Sequence, residues 1–143
     1  MPDKQRQKRY RIFIVENNAV FRQGFEQLLN NEHDIVVYGS TNNSLQALSI
    51  INKTRPDMII ADISLKDGSG IELVKLIHRE HDELPIVVMS LHEESLYKRL
   101  AANAGATAYI NKQDPPEAII KALHDILNES AAQKEKKTAE TSY

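Results

Sequence analysis

Short apolar runs alternate with segments of helical period along this chain. Arg11–Val15, Ile35–Ser40, Met58–Asp62, Ile86–Ser90 and Ala106–Asn111 are apolar runs, most of them rich in β-branched residues, and too short for core helices, so each reads as a strand. Between them, apolar residues recur at three- and four-residue spacing. Phe21, Phe25, Leu28 and Leu29 mark one face of a helix over 19–30. Leu45, Leu48 and Ile51 do the same for a second helix, with Ser44 as its cap. Leu73, Val74 and Ile77 mark a third, opened by Gly68-Ser69-Gly70 with Ser69 as cap. Leu96, Leu100 and Ala104 mark a fourth over 94–104, ended by Gly105. Ile119, Leu123, Ile126 and Leu127 mark a fifth, with Asp114 as cap ahead of Pro115-Pro116.

Five strands each followed by a helix predict a parallel sheet covered on both faces. Five units cannot close an eight-stranded barrel, which leaves an open, doubly wound α/β/α sheet of flavodoxin-like order 2-1-3-4-5. The apolar stripe of the last helix stops near Asn128. This divides the chain into a flexible basic arm over 1–8, one domain over 9–128, and a segment over 129–143 expected to extend the helix, fray from Lys134 onward, or begin a linker.

Composition narrows the chemistry. The 143 residues suffice for one domain with a core, and cysteine is absent, which removes disulfides, thiolate metal sites and Cys nucleophiles. There is no apolar run of membrane-spanning length and no apolar leader behind Met1-Pro2-Asp3-Lys4, so a cytoplasmic protein is expected. The net charge is −2, but five basic residues against Asp3 crowd the first eleven positions and leave the body acidic. An acidic body argues against direct contact with nucleic-acid phosphates.

The strand ends carry the candidate site. In open α/β sheets, chemistry collects at the carboxyl ends of the strands. Here those ends are Glu16-Asn17, Asp62, Ser90 and Lys112. The Asp62 carboxylate can attack phosphorus and become an aspartyl phosphate. Glu16 and Asp62 offer hard oxygen ligands to Mg²⁺. Lys112 offers a point positive charge for phosphoryl oxygens, and Ser90 a short hydroxyl donor. His78 and His81, three apart near a helix end, read as a solvated face, and His33, His92 and His124 show no ligand spacing. No G-x-G-x-x-G or P-loop follows the first strand, which disfavours a nucleotide enzyme.

In these residues the chain resembles the receiver domain of two-component response regulators. The resemblance rests on Ile12–Asn17, Asp62-Ile63-Ser64-Leu65, Ser69–Leu73, Val88-Met89-Ser90 and Ala104–Lys112, in order, across about residues 9–128. Phe21-Arg22-Gln23-Gly24 and Ser69–Leu73 are most similar to receivers that precede a LuxR-type helix-turn-helix output domain. The resemblance implies a phosphoryl-accepting switch rather than an enzyme. Asp62 is then the phosphoacceptor, Lys112 the phosphate-binding lysine, Ser90 the switch hydroxyl and Tyr109 the switch aromatic. Mg²⁺ would be held by Glu16, Asn17, Asp62 and the Ser64 backbone carbonyl. Ser64 and His92 each lie two residues past a site residue, at positions that the resemblance implies tune phosphate lifetime. The implied partners are a sensor histidine kinase or phosphotransfer protein, an output domain or effector, and a second copy of the chain.

Two positions depart from the family pattern. Asn17 stands where a second acid is usual, which predicts weaker Mg²⁺ binding, and Lys66 stands where Pro is common. Asn17 motivates an alternative, a degenerate receiver that binds proteins without phosphorylation. A phosphatase with an aspartyl intermediate is the other competitor. It wants a second acid two residues after the nucleophile, where this chain has Ser64.

Overall fold

Alternation of side chains along five parallel strands builds two hydrophobic layers. The computed structural model describes residues 9–65, 68–91 and 95–141. The elements are β1 (Tyr10–Val15), α1 (Ala19–Asn30), β2 (Ile35–Thr41), α2 (Ser44–Thr54), β3 (Met58–Asp62), α3 (Gly70–Glu80), β4 (Ile86–Ser90), α4 (Ser95–Ala104), β5 (Ala108–Asn111) and α5 (Pro116–Thr141). The strands pair in parallel in the order β2-β1-β3-β4-β5, the expected doubly wound order. Ser64–Leu65 and Gly68–Ser69 form a separate two-residue antiparallel ribbon.

Successive residues of a strand point to opposite faces. Phe13 and Val15 of β1, with Ile59, Ala61, Ile86 and Val88, meet α2, α3 and α4 on one side. Ile12 and Ile14, with Met58, Ile60, Val87 and Met89, meet α1 and α5 on the other. Both faces are dry, which is why these runs carry almost no polar residue.

Several helix expectations change. Leu45, Leu96 and Leu100 are 76%, 52% and 40% exposed, while Ala47 and Ala101 are buried in their place and Ala104 is buried as expected. Alanine lets α2 and α4 come close to the sheet, and a stripe chosen by side-chain size rotates each helix away from its true contact face. Leu48 and Ile51 do pack inward.

Three caps are also informative. Asn43, not Ser44, caps α2, its side chain accepting from the Gln46 N–H at 2.9 Å. The N–H groups of Ala118 and Ile119 reach the Pro115 carbonyl, which displaces Asp114 from the expected cap. A residue before proline avoids helical dihedrals, so the helix cannot begin ahead of Pro116. Gly105 ends α4 as expected, at φ 114°, with its N–H on the Ala102 carbonyl and the Ala106 N–H on that of Ala101. This is a Schellman closure that needs a left-handed residue.

The fraying expected from Lys134 is replaced by helix, since α5 continues to Thr141. Beyond Leu127 it is held by polar contacts, including Lys137 on Glu83 and the Thr138 hydroxyl on the Lys134 carbonyl. The expected basic arm over 1–8, Lys66 and His92 lie outside the described residues.

Candidate functional site

The parallel register brings four strand ends to one rim. Asp62 pairs with Met89, and Ser90 with Asn111, so β3, β4 and β5 end side by side. β1 lies on the other side of β3 and delivers Glu16 one residue past its end. The Lys112 N–H donates to the Ser90 carbonyl at 2.9 Å, which turns the chain back over the rim after β5.

Three charged side chains meet there. Lys112 Nζ lies 2.9 Å from Glu16 Oε1 and 3.3 Å from Asp62 Oδ2, and all three side chains are at most 10% exposed. Such buried charges persist only when paired and hydrogen-bonded. The second oxygen of each acid is held as well: Glu16 Oε2 accepts from the Asn18 N–H at 2.9 Å, and Asp62 Oδ1 from the Ser64 N–H at 3.1 Å. Burial pushes the Glu16 carboxyl above its ordinary pKa, helped by the Asp62 charge, while the Lys112 and Asn18 hydrogen bonds pull it down.

Neighbouring residues fix this geometry. The Asn18 side chain caps α1 by accepting from the Phe21 N–H at 2.9 Å, and Arg22 Nη1 donates to the Glu16 carbonyl at 2.9 Å. The Phe21 ring stacks on Phe25 and presents its face to Lys112 Nζ, 4.7 Å from the centroid, a cation–π contact. On the other side, a Cβ at Gly70 would stand 2.2 Å from the Asp62 carbonyl oxygen. Only glycine lets the start of α3 approach the Asp62 backbone this closely.

Of the residues singled out from sequence, Glu16, Asp62 and Lys112 are in direct contact, and Ser90 is buried on the adjoining strand end. Asn17 and Ser64 are exposed, one residue past Glu16 and two past Asp62. Tyr109 is half-buried in β5 opposite Val88, against the layer of α2, α3 and α4. Phe21, Asn18 and Arg22 were not anticipated as parts of the site. Helical period assigned Phe21 to the core, which it also serves, and only its nearness to Glu16 in the chain hinted at more.

His81 and His78 diverge. His81 Nε2 bonds Asn52 at 2.7 Å, and the His78 ring lies beneath Gly105.

A buried acid pair beside an ammonium is suited to receiving a phosphoryl group, and known proteins are similar to this chain in sequence and fold. The sequence matches the response regulator receiver domain family over residues 12–124. It is 30% identical over 111 residues to YhcZ, a transcriptional regulatory protein of Bacillus subtilis (strain 168), covering 78% of this chain and 52% of that protein. It is 30% identical over 115 residues to the nitrate/nitrite response regulator NarL of Escherichia coli (strain K12), covering 79% and 52%. The chain thus spans about half the length of these curated relatives. The fold superposes on a LuxR-family two-component response regulator from Aurantimonas sp. SI85-9A1 with a TM-score of 0.81 at 25% identity, covering 85% of this chain and 86% of that one. This chain belongs to the response regulator receiver domains of two-component systems.

Proposed function

We propose that Asp62 accepts a phosphoryl group from the phosphohistidine of a sensor histidine kinase or phosphotransfer protein. The supporting observation is the buried contact of Lys112 with both Glu16 and Asp62. An Asp62 oxygen forms a bond to phosphorus as the donor's P–N bond breaks, and the departing imidazole takes up a proton. Lys112 is placed to follow the phosphoryl oxygens, and Phe21 keeps its ammonium over the rim. Glu16 and Asp62 are buried hard oxygen donors beside the exposed Asn17 amide, a set that fits Mg²⁺. When bound, the ion would supply charge neutralisation for the transferring group.

Phosphorylation adds about −1.5 to −2 charge near neutral pH. Ser90, buried at the end of β4, is drawn toward the new oxygens, and Tyr109, half-buried on β5, turns into the space that Ser90 leaves. The surface of α4, β5 and α5 then shifts between two arrangements. Relatives named as transcriptional regulatory proteins support an output in transcription through a separate DNA-binding part, with a histidine kinase and a second copy as partners in the cytoplasm. Among the described residues no helix is long and apolar enough to cross a membrane.

Incubation with Mg²⁺ and acetyl phosphate, followed by intact-mass measurement, tests the reading. A single phosphate adduct on the parent chain, absent in Asp62→Asn, is expected. No adduct from acetyl phosphate or from a phosphorylated histidine kinase would overturn it in favour of a phosphate-independent binding module.

A further inference from the structure

A second convergence of ligand atoms lies at the opposite end of the sheet. Glu32 and Asp34 sit on the turn between α1 and β2, and His124 reaches them from α5, ninety positions away in the chain. His124 Nε2 is 2.8 Å from Asp34 Oδ1 and 4.0 Å from Glu32 Oε1. The three ligand atoms all fall within 4.8 Å of one another, and the side chains are 23%, 23% and 33% exposed.

We infer that Glu32, Asp34 and His124 form a binding site for a first-row divalent cation such as Zn²⁺. A simple ion pair accounts for only part of the arrangement. An imidazole N–H points in one direction, and here it serves Asp34, leaving Glu32 beyond hydrogen-bond reach. A cation has no such direction and engages all three groups at once. With ligand distances of about 2.0–2.2 Å, tetrahedral partners stand about 3.4 Å apart, so side-chain rotations of about 1 Å close the observed set. One imidazole nitrogen with two carboxylates suits zinc and its neighbours better than Mg²⁺ or Ca²⁺, which prefer all-oxygen shells.

The frame is already built. The Glu32 N–H bonds the Leu29 carbonyl and the Ile35 N–H bonds the Glu32 carbonyl, which closes the turn under both acids. The Asp34 carbonyl accepts from the Tyr10 N–H at 2.7 Å, and the Tyr10 hydroxyl donates to Asn128 at 3.0 Å, one turn along α5 from His124. A bound cation would staple α5 to the α1–β2 turn, far from Asp62 and just before α5 leaves its apolar stripe.

Zn²⁺ titration by calorimetry, with excess Mg²⁺ to fill the acidic pocket, tests the site. One equivalent should bind with micromolar affinity and raise the Tm, and His124→Ala and Asp34→Asn should each weaken binding at least tenfold. With Co²⁺, paramagnetic broadening should centre on residues 32–34 and the His124 ring. His124→Gln serves as the variant where His124→Ala lowers stability by itself. No stoichiometric binding, binding that both His124 variants leave intact, or broadening centred on Asp62 would overturn the assignment.

Discussion

The Lys112 ammonium stands 2.9 Å from Glu16, closer than its 3.3 Å approach to Asp62. One cation therefore compensates two buried acids. Removing one partner of a buried ion pair is costly because it strands the other charge, by about 3–5 kcal/mol. Lys112→Met keeps the aliphatic stem but strands two carboxylates, so a loss of about 3 kcal/mol in chemical denaturation without Mg²⁺ is expected. The double variant Lys112→Met/Glu16→Gln should recover a large part of it, since less buried charge is left uncompensated. Equal losses in the single and double variants would show that Lys112 acts through packing alone.

Asn17 follows the buried Glu16 and is exposed. Its amide offers an oxygen without charge, whereas aspartate at the same place adds a full negative charge. Asn17→Asp is expected to tighten Mg²⁺ binding about tenfold, equivalent to about 1.4 kcal/mol, and to speed adduct formation from acetyl phosphate. Without Mg²⁺ the extra acid beside Glu16 should lower the Tm, and adding the ion should restore it. Calorimetric titration of both proteins is the check. Identical affinities would remove Asn17 from the metal shell.

Both the fold and the acid–lysine cluster were legible in the sequence because both are set by strand ends. A buried strand needs a continuous apolar run, so the residue that ends the run lands on the rim. This placed Glu16, Asp62, Ser90 and Lys112 without further help. Helix faces were less legible. Leu45, Leu96 and Leu100 fit a stripe by period, but the sheet accepts Ala47 and Ala101, whose small size allows close approach, and of the predicted face of α4 only Ala104 is buried. Contacts between distant stretches left no local signal. His124 shows no ligand spacing along the chain, and its partners Glu32 and Asp34 become visible only once α5 packs beside the α1–β2 turn. Phe21 belonged to two patterns at once, and periodicity reported only the core one.

The far end of α5 rests on a contact that pH should release. Lys137 pairs with Glu83 on the turn between α3 and β4, beyond the apolar stripe of the helix. The hydrogen bond and charge of Lys137 hold the Glu83 carboxyl below its ordinary value of 4.5, and Glu83 in turn raises the Lys137 ammonium. A lowered acid pKa favours the docked state above the ordinary value, and that benefit is lost as pH falls through the lowered one. Carbon-detected NMR titration should therefore place the Glu83 midpoint below 4.5, and Lys137→Ala should return it to the ordinary range. The pair is exposed, so 1 M salt, with a Debye length of about 3 Å, should shrink the difference. At neutral pH, Glu83→Gln should speed trypsin cleavage at Lys134, Lys136 and Lys137. Unchanged cleavage together with an unshifted Glu83 midpoint would mean that the extension holds its place through backbone helix bonds alone.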